Sequence, residues 1–226
     1  MIKFENISKI YPPSSVALRG IDFEIQENEF VSLVGKSGAG KTTLIKLLLR
    51  EEMPTSGSIY FEDCNVCQIK YGHLSSYRQK IGAVFQDYKL LNNKTVYENI
   101  AYAMEVMGAT DTEIKRDVPL LLNIVGLDDK VFRFPRELSG GEKQRTAIAR
   151  AMAPRPKIIV ADEPTGNLDP YHTKDIINLL RKIHELGTTI ILSTHNKEVI
   201  NSLRKRVITL EGGEVVRDER IGRFIL

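Results

Sequence analysis

The chain has little cysteine, no strong excess of either charge and no apolar run of membrane-spanning length, and each shortage closes off a class of function. Its two cysteines, Cys64 and Cys67, stand in a C-x-x-C spacing. A structural zinc takes four ligands and no second C-x-x-C follows; His73 is near in sequence but isolated, so the pair is expected to hold no metal. A redox role would need the motif at the start of a helix in a thioredoxin-like unit, which this region does not resemble. Lys and Arg number 32 against 29 Asp and Glu, a formal +3 too mild and too evenly spread to announce a nucleic-acid partner. The small basic cluster Arg204-Lys205-Arg206 reads as a solvated helix end, with acidic lipid headgroups as the alternative contact. No apolar stretch nears the length of a membrane-crossing helix, and Met1-Ile2-Lys3-Phe4-Glu5 lacks the apolar region of a signal peptide. The expectation is a cytosolic protein unless something holds it to a membrane. No internal repeat or low-complexity stretch is apparent.

What the chain does have is 226 residues and a hydrophobic content of 42%, enough for one large domain or a domain with a subdomain. Its most informative stretch is Gly35-Lys36-Ser37-Gly38-Ala39-Gly40-Lys41-Thr42-Thr43, which matches G-x-x-x-x-G-K-[ST]. The apolar run Phe30-Val31-Ser32-Leu33-Val34 before it reads as a buried strand, and Leu44 to Leu49 after it as a helix. In that setting the glycines let backbone N–H groups turn inward, the helix start adds partial positive charge, and Lys41 supplies a full charge for β- and γ-phosphates. Thr42 would then place its hydroxyl on Mg²⁺.

Around this stretch the pattern changes twice. Ile2 and Phe4, then Ile21 to Ile25 beyond Pro12-Pro13, alternate as half-buried strands of an antiparallel sheet do; Tyr11 closes the first of them. Pro54-Thr55-Ser56-Gly57 reads as a turn, Ile59 and Phe61 as part of a strand, and Ile81 to Phe85 as a strand that delivers Gln86. From residue 87 to about 156 the pattern is helical. Thr95 with Glu98 forms a capping box ahead of a helix running to Met104; Asp111 to Val125 is a second helix, stopped by Gly126; Gly140 to Met152 is a third, opened by Ser139. Strand signals then return: Ile158 to Ala161 is all apolar and ends in Asp162-Glu163, a helix spans Asp175 to Glu185, and Thr188 to Ser193 ends near His195. Val207 to Leu210, Gly212-Gly213 and Val215-Val216 read as a terminal hairpin. The expected fold is α/β: a P-loop NTPase core of RecA-like type from residues 1–86 and 157–226, with a mostly parallel sheet and an N-terminal antiparallel β subdomain. A helical subdomain is inserted at about 87–156.

Ligands of parallel sheets bind beyond the carboxyl ends of the strands, and Gln86, Asp162 and His195 all follow apolar strands directly. Asp162 is placed to hold Mg²⁺ through water, and Glu163 to polarise the attacking water as general base for phosphoryl transfer from ATP. A second anion-binding end stands in the helical block, at Leu138-Ser139-Gly140-Gly141-Glu142. With one phosphate site already present, a second makes sense if it closes on the nucleotide of another subunit.

Leu138-Ser139-Gly140-Gly141-Glu142 resembles the signature motif of ATP-binding-cassette ATPases, and the likeness extends over practically the whole chain. The resemblance implies a head-to-tail homodimer with two ATP molecules buried between cassettes. It implies that Tyr11 stacks on adenine, that Gln86 senses Mg²⁺ and the water, and that His195 contacts the γ-phosphate. Ser139 and Gly141 would bind the γ-phosphate held by the opposite subunit, and Asp169 would belong to the loop joining the two sites. The stretches Ala161 to Asp169, Phe85 to Leu91, Lys94 to Ile100, Val216 to Glu219 and Gly222-Arg223-Phe224 are similar to the cell-division branch of the family. Its partner would be an FtsX-like integral membrane protein that holds the ATPase peripherally on the inner face of the membrane. Leu90 and Leu91 are the expected partner contacts, in a groove with Val96, Met104, Val106 and Met107 that in part is ordinary packing. ATPases of lipoprotein-releasing or macrolide-type exporters and of amino-acid importers carry the same two motifs. A soluble cassette acting on DNA or ribosomes is disfavoured by the single cassette, the lack of a long heptad insertion and the mild charge.

Overall fold

The computed structural model describes residues 1–223, so the expected tail residue Phe224 lies outside the described residues. Strands β1 (Ile2–Tyr11), β2 (Ser15–Ile25), β4 (Ser56–Phe61) and β5 (Cys64–Asn65) form an antiparallel sheet in the order β2-β1-β4-β5. Strands β3 (Phe30–Val34), β6 (Ile81–Phe85), β7 (Ile158–Asp162), β8 (Thr189–Ser193), β9 (Arg206–Glu211) and β10 (Glu214–Glu219) form the second, in the order β10-β9-β3-β8-β7-β6. It is parallel except for β10, which closes the expected hairpin with β9.

Period-two alternation decides which face each parallel strand gives to which core. Val31 and Leu33, Ile158 and Val160, and Ile191 pack with the antiparallel sheet and with α1 (Lys41–Leu48). Their neighbours Phe30, Ile159, Ala161, Ile190 and Leu192 pack on the other side with the helices. Every residue of β3, β7 and β8 is buried, which is why these strands carry no polar alternation.

The helical side holds α3 (Val96–Glu105), α4 (Asp111–Val125), α5 (Gly140–Met152) and α6 (Pro170–Glu185). Capping boxes open the first three: Thr95 with Glu98, Thr110 with Glu113, and Ser139 with Glu142. Gly126, left-handed at φ 66°, ends α4. Residues of α3, α4 and α5 share one apolar cluster with α6 and the sheet strands β7 and β8.

Three local expectations need correction. The helix expected from Asp175 begins at Pro170, because the Asp169 side chain accepts from the His172 N–H at 3.0 Å and Pro170 suits the first helical position. Ser56 and Gly57 belong to β4 rather than to a turn; a Cβ on Gly57 would stand 2.3 Å from Asn6 O, so the strand crosses β1 with no room for a side chain. The basic cluster is not one solvated helix end. Helix α7 (Lys197–Leu203) stops before Arg204, while Arg206 opens β9. The Arg206 guanidinium bonds Asp218 at 2.6 and 2.7 Å, Glu29 at 3.0 Å and Glu24 O at 2.8 Å. A short helix α2 (Leu74–Arg78), not anticipated, is tied down by the Tyr77 hydroxyl donating to Leu48 O. Cys64 is exposed and Cys67 half-buried, both as free thiols.

Candidate functional site

The phosphate loop bridges β3 and α1, and neighbouring backbone fixes its path. A Cβ on Gly35 would lie 2.4 Å from Leu210 O, and one on Gly40 would lie 2.7 Å from Ala17 O. Gly40 is also left-handed at φ 105° and occupies the N-cap of α1 without a side-chain cap, so the first N–H groups of that helix remain open to an anion. Lys41 is buried, and its ammonium donates to Gly35 O at 2.7 Å and to Lys36 O at 3.2 Å. The same Nζ stands 3.9 Å from Glu163 Oε1.

Glu163 reaches this position through unusual backbone. Its φ is +47°, a left-handed conformation that costs a non-glycine residue roughly 1 kcal/mol or more. Two hydrogen bonds hold it there, from Glu163 N–H to Ser193 O at 2.9 Å and from Gly166 N–H to Glu163 O at 3.1 Å. The carboxylate then lies between Lys41 and His195, whose Nδ1 is 2.9 Å from Oε1. Sequence reasoning placed Glu163 at a strand end but had no signal for this turn.

Asp162 ends β7 between Phe85 of β6 and Ser193 of β8. It is 8% exposed, and its Oδ1 is buried with no hydrogen-bond partner. An unpartnered buried carboxylate oxygen is the kind of hard donor a divalent cation takes, but Asp162, unlike its neighbour Glu163, is not among the residues that line the phosphate-loop cleft. Together, Ala17, Lys36, Ser37, Gly38, Gly40, Lys41, Thr42, Thr43, Gln86, Glu163 and His195 line one cleft of about 580 Å³.

Tyr11 lies beside that cleft. Its hydroxyl donates to Glu52 Oε2 at 2.6 Å, and burial holds its proton more tightly than usual. The signature residues stand elsewhere. Residues 138–142 are not among those lining the cleft; Ser139 caps α5, and Glu142 returns the contact by accepting the Ser139 N–H at 2.7 Å. That bond, ahead of the cost of burial, lowers the Glu142 pKa. Gly140 packs against Leu168 and the Tyr88 hydroxyl, and Gly141 against His172, which Asp169 holds through Nδ1.

Of the groove residues, Val96 and Met104 are core, whereas Val106 and Met107 are 58% and 38% exposed. Leu90 and Leu91 are half-buried. Their segment is pinned from both ends. The Arg150 guanidinium donates to Tyr88 O and Lys89 O, and the buried Asn99 amide accepts from Leu91 N–H and donates to Leu91 O and Lys94 O. Asn167, read only as part of the stretch Ala161 to Asp169, pairs its side-chain amide with Gln86, a contact the sequence reading missed.

Comparison with known proteins places this geometry in context. The ABC transporter family model matches residues 18–166. The chain is 51% identical over 224 residues to the cell division ATP-binding protein FtsE of Streptococcus pneumoniae serotype 2, covering 99% of this chain and 97% of that protein. It is 46% identical over 224 residues to FtsE of Bacillus subtilis strain 168, covering 99% and 98%. Among solved structures it resembles the dimeric ATP-binding cassette MJ0796 in a post-hydrolysis state bound to ADP and Pi. The TM-score is 0.89 at 35% identity, covering 99% of this chain and 100% of that one.

Proposed function

The chain belongs to the ABC transporter family as an ATP-binding cassette, and from that premise we propose that it is the ATP-hydrolysing subunit of an FtsE–FtsX-type complex in bacterial cell division. The observation that carries the reading is the convergence of Lys41, Gln86, Glu163 and His195 on one cleft while the Ser139 helix end lies outside it. A cassette so divided has half of a nucleotide site on each of two surfaces.

In this reading the open N–H groups of α1 and the Lys41 ammonium bind the phosphates of ATP. Mg²⁺, held by the Thr42 hydroxyl, by Gln86 and through water by Asp162, would neutralise charge on the transferred phosphoryl group. Glu163 takes the proton of the attacking water, and His195 at 2.9 Å orients the carboxylate and reaches the γ-phosphate. Tyr11 offers its ring to the adenine. Leu138 to Glu142 of a second copy, in head-to-tail arrangement, complete the site, with Ser139 and Gly141 at the γ-phosphate and Asp169 on the path between the two sites. The dimeric state of the MJ0796 cassette supports the pairing of two copies. The core of residues 1–86 and 157–226 carries the cleft and the helical subdomain of 87–156 the signature. Subunit closure therefore moves the segment bearing Leu90 and Leu91, where an FtsX-like integral membrane protein docks. That docking holds the ATPase on the inner face of the membrane, and its closure regulates cell-wall hydrolysis.

Glu163→Gln tests the chemistry. It should bind Mg-ATP, hydrolyse it about 10²-fold or more slowly and elute as a dimer in size-exclusion chromatography. A monomer under those conditions counts against closure between copies. Pull-down from solubilised membranes tests the partner: recovery of the permease of an importer or a lipoprotein-releasing complex, without an FtsX-like protein, would replace this assignment.

A further inference from the structure

Gln86 and Asn167 exchange two hydrogen bonds across 81 residues of sequence: Gln86 Nε2 donates to Asn167 Oδ1 at 3.0 Å, and Asn167 Nδ2 donates to Gln86 O at 3.1 Å. The pair fixes its own orientation, because flipping the Asn167 amide would set donor against donor and carbonyl against carbonyl. Gly166 makes the contact possible. A Cβ there would stand 2.8 Å from Gln86 Nε2 and 2.9 Å from its Cδ, so only a residue without a side chain lets the Gln86 amide lie across this turn.

The partner segment is also the one that touches the signature. Leu168 Cδ2 and Asn167 O lie 3.1 and 3.8 Å from where a Cβ on Gly140 would stand, and the neighbouring Asp169 caps α6. One short stretch, residues 166–169, therefore holds Gln86 on one side and borders the signature turn on the other. Both residues are exposed and both bonds are between neutral groups, so the pair is weak enough to break when the Gln86 side-chain oxygen finds a metal to hold. A metal–phosphate group in the cleft that Gln86 lines would present one.

We propose that Asn167 is a positioning residue: its two hydrogen bonds to Gln86 compete with Mg-ATP for the Gln86 amide, and that hold must break before the Gln86 side-chain oxygen can turn to the metal. This rests on the reading of the cleft as a Mg-ATP site.

The test is the affinity of the full chain for N-methylanthraniloyl-ATP, measured by fluorescence titration with Mg²⁺ and again in EDTA. Removing the hold by Asn167→Ala should tighten binding in Mg²⁺ by about fivefold and leave binding in EDTA unchanged. Asn167→Asp keeps an acceptor for Gln86 Nε2 but loses the donor to Gln86 O, and should fall between. The gain should vanish when Gln86→Ala is added to Asn167→Ala. A gain that survives that addition, a ratio of the two affinities at or below that of the unaltered chain, or an equal loss in both conditions overturns the proposal, the last by making Asn167 merely structural. If the unaltered chain binds the nucleotide in neither condition, the ATP reading fails with it; if it binds in Mg²⁺ and Asn167→Ala changes nothing, only the hold is lost.

Discussion

At the scale of single residues, the site depends on a few side chains whose surroundings leave no substitute. Lys41 is buried with two carbonyl contacts and a carboxylate 3.9 Å away, so Lys41→Ala removes the one full positive charge sunk into the phosphate loop. Calorimetry should show ATP affinity falling by about 10²-fold, the scale of a desolvated charge-assisted contact, with little change in thermal midpoint. Gly141→Ala is a steric case. Its Cβ would lie 2.6 Å from the His172 ring, which Asp169 holds, so the signature turn must move; ATP hydrolysis should drop about tenfold or more while binding by the isolated chain persists. The gathering of Gln86, Glu163 and His195 in one cleft was legible because each follows an apolar strand; Asp162 does too, yet does not line that cleft. Asn167 was not legible, since its partner is distant in sequence and an Asn after Gly reads as an ordinary turn. The left-handed turn at Glu163 was equally silent, because backbone hydrogen bonds to Ser193 O and from Gly166 N–H, not the side chain's own preference, hold it.

Among the elements, α4 and α5 were read with the bounds the structure gives and α3 to within one residue at its end, although only the first of their capping boxes was read beforehand. Thr95 with Glu98, Thr110 with Glu113 and Ser139 with Glu142 are local chemistry, written within four positions of chain. Thr110→Ala should therefore cost about 1 kcal/mol, seen as a fall of about 2–4 °C in the thermal midpoint, without altering ATP affinity. Glu142 adds a pH dependence. Its folded-state pKa lies below the ordinary 4.5 because it accepts the Ser139 N–H, so its charge contributes stability above that value and the contribution is lost as pH falls through the lower folded value. Thermal melts of the unaltered chain and Glu142→Gln should differ by about 0.5 kcal/mol near neutrality and converge in acid. Where capping is supplied by a residue with another expected job, the reading slipped: Asp169 was assigned to a loop, and α6 was started five residues late. Helix α2 was invisible because its anchor, Tyr77 to Leu48 O, is tertiary.

For the whole molecule, alternation of strands and helices foretold a parallel sheet, and the apolar runs inside β7, at 158–161, and β8, at 190–192, foretold burial on both faces. Strand order was not foretold, since nothing in a β-strand's composition names its neighbours. Arg206 shows the same limit: three consecutive basic residues look solvated until Glu24, Glu29 and Asp218 are brought around the last of them. Division of the nucleotide site between two copies is the prediction that belongs here. Ser139→Ala should reduce steady-state hydrolysis about tenfold while a dilute, monomeric chain binds ATP within about twofold of the unaltered protein. A matching loss in both measurements would place the signature in the chain's own site.

Strand β3, which delivers the phosphate loop, has β8 on one side and β9 on the other, at residues 189–193 and 206–211. During synthesis on a ribosome the loop is thus translated early and framed late: its strand has no lateral partner in the parallel sheet until the last part of the chain has emerged. Nascent chains arrested near residue 180 should accordingly fail to retain ATP, whereas release of the finished polypeptide should confer retention in a single step.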